Sequence, residues 1–192
     1  IQGHIKIHDP ESDKVFVDKR NAIHYENMSV ALAESVANQG QGFINSMSFG
    51  NGGTSVDPTG IITYLTPNST GTNATLYNQT YTKIVDDRSV SNLDPQRNKI
   101  ETRHVNGTNY TDVVVTCLLD YGEPNGQDAV DGASASDSLY VFDELGLVSY
   151  SPSGTGKLLT HVIFHPVQKS LNRLIQIDYT VRVQSLTGFN EG

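Results

Sequence analysis

The sequence has one cysteine, Cys117, and no tryptophan. A single thiol cannot form a disulfide within the chain, nor can it build a cysteine-based zinc site. No apolar run approaches the roughly 18 residues that a membrane-spanning helix needs. Basic residues number 13 against 21 acidic ones, so the net charge of −8 argues against the cationic face of a general nucleic-acid binder. These shortages disfavour disulfide scaffolds, membrane spans and direct nucleic-acid contact.

Apolar residues make up 36% of the 192 residues, below the globular average of about 45–50%. A chain of this length can still close a core, and it is rich in Thr, Asn, Ser, Gly and Val, which favour strands joined by turns. About eight short strands are expected with one helix. We therefore predict a single domain over 1–192, an antiparallel β-sandwich of jelly-roll-like architecture with one short α-helix near its N-terminus.

The helix is predicted at about residues 27–38. Met28, Leu32 and Val36 share one helical face, and Asn27 or Ser29 can cap the first turn. Gly40 and Gly42 are expected to end the helix.

The strongest strand signal is the last one, where Ile175, Ile177, Tyr179, Val181 and Val183 alternate with polar residues. This pattern is typical of an antiparallel strand with one buried and one wet face. A first hairpin is predicted from the strand around Ile5 and Ile7 to the strand at 15–17. We expect that N-terminal strand to be a free sheet edge on which a neighbouring subunit docks.

A second hairpin is predicted at 100–119, around Asn106-Gly107. Asn-Gly favours a two-residue type I′ turn. That turn would place Ile100 opposite Val113 and Glu101 opposite Asp112, an unfavourable like-charge pair.

Two long polar loops interrupt the strands, at about 50–75 and 122–137. In the first, 19 of 26 residues are Gly, Asn, Ser, Thr or Pro. A loop this long in a compact domain is usually functional or disordered. We expect the 50–75 loop to gain order from a neighbouring subunit.

Histidines and carboxylates offer few metal or catalytic patterns. His161 and His165 are four residues apart, which on a strand separates them by roughly 13 Å, too far to share an ion; His4 and His8 have the same spacing. Acidic residues fall mainly in loops, where solvation is the simplest interpretation. They include Asp86, Asp87, Asp112, Glu123, Asp143 and Glu144, while Asp120, Asp128 and Asp131 leave a calcium site open as a minor alternative.

The remaining motifs also have simple structural interpretations. The run 50–54 (Gly-Asn-Gly-Gly-Thr) lacks the lysine and spacing of a P-loop and predicts a tight turn or bulge. Cys117 lies in an apolar strand and is expected in the core. N-glycosylation sequons are common, but the abundance of Asn and Thr and the single cysteine disfavour a secreted glycoprotein; they begin at Asn27, Asn68, Asn73, Asn78, Asn106 and Asn109. No catalytic, cofactor-binding or metal residue is assigned.

The order of segments resembles small virion structural proteins of tailed bacteriophages, including cyanophages. The resemblance is carried by the helix at 27–38, Phe49-Gly50-Asn51-Gly52-Gly53-Thr54, Val141-Phe142-Asp143-Glu144-Leu145-Gly146-Leu147, and a C-terminal block comprising 158–169 and 173–183. It implies a role in head decoration or in the neck, collar or tail, and it implies no catalytic residues.

The sequence thus predicts a non-enzymatic virion subunit, present in repeated copies as a homo-oligomer and contacting capsid, neck or tail proteins, without cofactor, membrane or direct nucleic-acid contact. The alternative is a glycan-binding β-sandwich module of a secreted or virion-surface protein, for which Tyr64, Tyr77 and Tyr81 are the candidate loop aromatics.

Overall fold

The computed structural model describes residues 1–124 and 139–185. Its elements in chain order are β1 (Gln2–His8), β2 (Val15–Ile23), α1 (Tyr25–Val36), β3 (Ile44–Gly50), β4 (Thr54–Val56), β5 (Ile62–Tyr64), β6 (Gln79–Ile84), β7 (Lys99–His104), β8 (Tyr110–Leu119), β9 (Leu139–Ser149), β10 (Thr160–Ser170) and β11 (Ile175–Gln184). The protein is mainly β with one helix, as predicted.

Nine strands form one antiparallel sheet in the order β6-β3-β9-β10-β2-β1-β11-β8-β7. The link between β10 and β2 consists of only two residue pairs, Thr160 with Ile23 and His161 with Ala22. The sheet curls around this short link, so its four-stranded and five-stranded halves cover one core. The arrangement matches the predicted sandwich in outline, although the two layers belong to one continuous sheet.

The core lies between the inner faces of the two halves. Phe49 of β3 and Phe142 of β9 meet edge to face with ring centroids 5.4 Å apart. On the opposite half, Ile177 and Tyr179 of β11 are fully buried, while Gln176 and Asp178, which alternate with them, are partly exposed. The alternation predicted for the last strand is confirmed, because period-2 patterning directly reflects one buried face.

The helix begins and ends two residues before the predicted 27–38. Its N-cap is His24, whose Nδ1 accepts a hydrogen bond from the Asn27 backbone N–H at 3.1 Å. The predicted caps are wrong: Asn27 is buried and donates its side-chain amide to the Leu158 carbonyl at 2.9 Å. Of the predicted apolar face, Met28 is buried, whereas Val36 is 88% exposed.

The N-terminal strand is not a sheet edge. β1 pairs with β2 on one side and with β11 on the other, so its backbone groups are used on both sides. The expectation of docking through this strand is therefore wrong. Removing residues 1–8 would remove a central strand.

The β7–β8 hairpin forms, but its register differs by two residues from the prediction. Ile100 lies opposite Val115, and Arg103 lies opposite Asp112, so an opposite-charge pair replaces the predicted like-charge one. Asp112 also accepts two hydrogen bonds from Arg182 of β11, at 2.8 and 3.0 Å. A two-residue shift keeps every side chain on its predicted face, so the apolar pattern alone cannot distinguish the two registers.

Candidate functional site

The longest polar connection, residues 51–78, is tied at both ends to β9, and we name it the anchored loop. At its start, the Gly52 N–H donates to Glu144 Oε2 at 2.7 Å and the Gly53 N–H to Asp143 Oδ1 at 2.9 Å. At its end, the Tyr77 N–H donates to Glu144 Oε1 at 2.7 Å. Two neighbouring carboxylates therefore fix the base of the loop.

The glycines allow this close approach. A Cβ on Gly50 would lie 2.4 Å from the Asn78 carbonyl oxygen, and one on Gly52 would lie 2.8 Å from the Asn78 nitrogen. Real side chains do not tolerate such distances, so the backbones at the two ends of the loop can meet only where a Cβ is missing. The sequence predicted a tight turn or bulge at 50–54, and the structure has a register shift between Phe49 and Gly50, of the kind that a β-bulge produces.

Two buried histidines hold the middle of the loop. His161 on β10 donates from Nε2 to Glu144 Oε1 at 3.0 Å and accepts the Asn68 N–H at Nδ1, at 2.8 Å. His24 donates from Nε2 to the Gly71 carbonyl at 2.7 Å, while its Nδ1 caps α1. Each ring is neutral in this arrangement, since one nitrogen accepts and the other donates. The loop is thus attached to the sheet and to the helix start.

Glu144 is the electrostatic centre of these contacts. Burial acts to raise the pKa of its carboxyl group, but hydrogen bonds from His161 and from the Tyr77, Asn78 and Gly52 amides outweigh burial and hold that pKa below its ordinary value. The carboxylate therefore carries its charge inside the protein. Glu144 and His161 are both fully buried, and the hydrogen bonds that they make position the loop.

The anchored loop presents apolar side chains to solvent, most of them on or beside a small hairpin. β4 and β5 form a small antiparallel hairpin, whose turn is stabilised by Asp57 accepting the Thr59 and Ile61 amides at 2.9 and 3.0 Å. The apolar and aromatic side chains here are between 42% and 64% exposed, and we name them the apolar tip: Val56, Ile61, Tyr64, Leu65 and Tyr77.

The acidic pair at 143–144 corrects a sequence prediction. Asp143 and Glu144 were expected to be solvated loop carboxylates, but both lie buried in β9. The sequence contained a usable signal, because the pair falls inside the apolar run 139–147. Buried charges of this kind need partners, and here the partners are backbone amides of the anchored loop.

The other candidate residues are dispersed. His161 is buried, whereas His165 is exposed, with its Nδ1 3.4 Å from the Tyr64 hydroxyl. Asp120 pairs with Arg97 at 2.6 Å, and its proposed calcium partners Asp128 and Asp131 lie outside the described residues, as does most of the 122–137 loop. Within 1–124 and 139–185, no group of three or more His, Cys, Asp or Glu side chains could hold a metal ion.

Two further predictions can be compared with the structure. Cys117 is fully buried in the core, as predicted, and burial raises the pKa of its thiol to about 12. Tyr81 does not join the other candidate aromatics, because it is half-buried on β6 and donates its hydroxyl to Glu123 at 2.9 Å. Only Tyr64 and Tyr77 of that trio belong to the apolar tip.

The sequence led us to expect that a neighbouring subunit orders the anchored loop, but the contacts described above that hold the loop come from this chain itself. Its contacts to Asp143, Glu144, His24 and His161 are complete without a second molecule.

Across the part of the chain that the structure describes, no helix has the length and apolar character needed to cross a bilayer. Comparisons with protein-family models, curated proteins and solved structures each found no match to this chain.

Proposed function

We propose that the protein is a non-enzymatic structural subunit of a tailed-phage virion, assembled in repeated copies on the head, neck or tail. The observation that carries the proposal is the apolar tip, carried on a loop whose two ends are fixed by the buried carboxylates of β9. The order of segments described above, which resembles virion proteins, supplies the particle context.

A fixed apolar tip suits an assembly contact for a physical reason. Burying apolar surface stabilises an interface by about 25 cal/mol per Å². Ordering a loop upon binding would offset part of that gain, and a loop that is already anchored avoids the cost. In a symmetric particle the same contact recurs in every copy, so a small patch per subunit suffices. The tip would contact another copy or a capsid, neck or tail protein.

The proposal is tested by counting copies of the chain in purified particles with quantitative mass spectrometry. We compare wild type with Ile61→Lys, which removes apolar surface from the tip, and with Thr63→Lys, which adds the same charge at an exposed site on the same hairpin. Wild type and Thr63→Lys are expected at equal copy number, and Ile61→Lys at a reduced one. Absence of the wild-type chain from particles would refute the virion role, and equal incorporation of all three would refute the role of the tip.

A glycan-binding module is the second candidate, favoured by one observation. Tyr64 and Tyr77 are both partly exposed, and the Tyr77 hydroxyl donates to the Thr66 carbonyl, two residues beyond Tyr64 on the same loop. A glycan array probed with wild type, Tyr64→Ala and Tyr121→Ala tests this function. Tyr121 is 51% exposed elsewhere and serves as the control. Binding lost only in Tyr64→Ala would support this candidate, and absence of binding by wild type would exclude it.

A further inference from the structure

Two Asn-Gly pairs of the described chain lie in opposite environments, one at 106–107 and the other at 51–52. A third pair, at 125–126, lies outside the described residues. Asn-Gly peptides are chemically special, because glycine has no Cβ to hinder its own backbone nitrogen from approaching the preceding side-chain carbonyl. The environment of each pair therefore decides whether that approach can occur.

The Asn106-Gly107 pair lies in the turn that joins β7 to β8. The turn is closed by the Thr108 N–H donating to the Val105 carbonyl at 3.2 Å, and Gly107 has a φ of +88°. A Cβ built on Gly107 would meet nothing within 4 Å. Both residues are exposed, and within 1–124 and 139–185 neither the Asn106 carboxamide nor the Gly107 amide has a hydrogen-bond partner. The pair is free to change conformation.

The Asn51-Gly52 pair is held from several sides. The Gly52 N–H donates to Glu144 Oε2 at 2.7 Å, so the nitrogen that would attack is already engaged with a buried carboxylate. The Asn51 carboxamide oxygen accepts a hydrogen bond from the Asn78 side chain, and the Asn51 N–H donates to the Asn78 carbonyl at 3.1 Å. Gly52 is also packed against Tyr77 and Asn78. Rotation into a reactive geometry would break these contacts.

We propose that Asn106 is a site of spontaneous covalent modification and that the anchored loop protects Asn51 from the same reaction. The Gly107 nitrogen attacks Cγ of Asn106 and loses its proton, forming a cyclic imide, and the side-chain nitrogen leaves as ammonia. Water then adds to either imide carbonyl and opens the ring, giving aspartate or isoaspartate. In total, one water is consumed and one ammonia released per asparagine, with no change in oxidation state.

The product changes the chemistry of the hairpin end. A neutral carboxamide becomes a carboxylate at an exposed position two residues from His104 and three from Arg103, and the isoaspartate form adds one atom to the main chain. The net charge of −8 becomes more negative by one for each modified molecule. The modified surface is at the exposed end of the β7–β8 hairpin, away from the anchored loop in the sequence.

The test is incubation of the purified full chain at neutral and mildly alkaline pH, followed by peptide mass mapping over time. In folded protein, the peptide containing Asn106 is expected to accumulate the aspartate and isoaspartate forms, while the peptide containing Asn51 stays unmodified. In protein unfolded by urea, the two sites are expected to react at similar rates, because each then has the same Asn-Gly chemistry without its folded surroundings. Asn106→Gln serves as the matched variant that removes the site.

Three results would overturn the inference. Asn51 reacting as fast as Asn106 in folded protein would show that the Glu144 contact does not protect it. Asn106 staying unmodified when folded, yet reacting when unfolded, would show that the hairpin turn prevents attack. A persistent difference between the two sites in urea would show that local sequence, not folding, sets the rates.

Discussion

Replacing Glu144 with glutamine should destabilise the protein far more than its small change in shape suggests. One carboxylate oxygen accepts hydrogen bonds from His161 and the Tyr77 amide, and the other accepts from the Gly52 and Asn78 amides. In Glu144→Gln, one oxygen becomes an NH₂ group, which only donates. In either orientation of the amide, two N–H donors lose an acceptor and face another donor.

Leaving a buried hydrogen-bond donor without an acceptor typically costs about 1–3 kcal/mol, so two such donors lead us to expect about 2–6 kcal/mol for Glu144→Gln. This is a large part of the roughly 5–15 kcal/mol that stabilises a typical domain. Urea unfolding followed by far-ultraviolet circular dichroism and tyrosine fluorescence measures it. Hydrogen exchange should localise the change, with faster exchange at the Gly52, Tyr77 and Asn78 amides than in wild type.

The matched control is Glu101→Gln on β7, where an exposed carboxylate pairs with Lys99 and Arg103 at 3.2 and 3.4 Å. The same chemical change there should leave the unfolding midpoint unchanged, since exposed ion pairs contribute little. A Glu144→Gln protein within about 0.5 kcal/mol of wild type, the range of ordinary surface substitutions, would refute the anchoring role of Glu144.

Three more predictions concern pH, the last strand and the thiol. The folded-state pKa of Glu144 lies below its ordinary 4.5, so the stability that its ionised carboxylate contributes is complete above pH 4.5 and is lost as the pH falls through the folded-state pKa. The unfolding free energy of wild type should therefore fall on acidification below about pH 4.5, and that of Glu144→Gln should fall less. Ile177→Asp should prevent folding, because it puts a charge at a fully buried site, whereas Gln176→Lys should be tolerated; equal circular dichroism spectra and melting curves for the two would contradict the assigned faces. Cys117, with its pKa raised to about 12 by burial, should react with a thiol reagent only upon unfolding, and prompt labelling of folded protein would disprove its burial.

Local patterns in the sequence predicted much of the fold. The last strand was predictable because alternation over 175–183 directly reports a one-sided burial, and Cys117 was placed in the core by the same reasoning. The β7–β8 hairpin was predictable from Asn106-Gly107, but its register was not. Of the two turn residues, only Gly107 has a positive φ, so the turn is not type I′. Each β7 residue therefore pairs with a β8 residue two positions later than a two-residue turn would allow.

The site depended on contacts between distant parts of the chain. Gly53 and Asp143 are 90 residues apart in sequence, and nothing local in the 50–54 run indicates which anion its amides would meet. The position of β1 was missed for the same reason, because sheet order is set by pairings such as Ile5 with Tyr179. What could be noticed locally was the charge pair inside the apolar run 139–147, although not its partners.

The central position of β1 has a consequence for how the chain reaches its folded state. Residues 2–8 can pair locally with β2, but their other partner, β11, begins at Ile175. The β7–β8 hairpin can form early, whereas the sheet becomes continuous only when the two far-separated segments meet. Since non-local pairings slow folding, we expect slow folding for this size, with the β11-facing side of β1 unsatisfied until that last step. During that interval the exposed strand is the segment most prone to pair with another molecule.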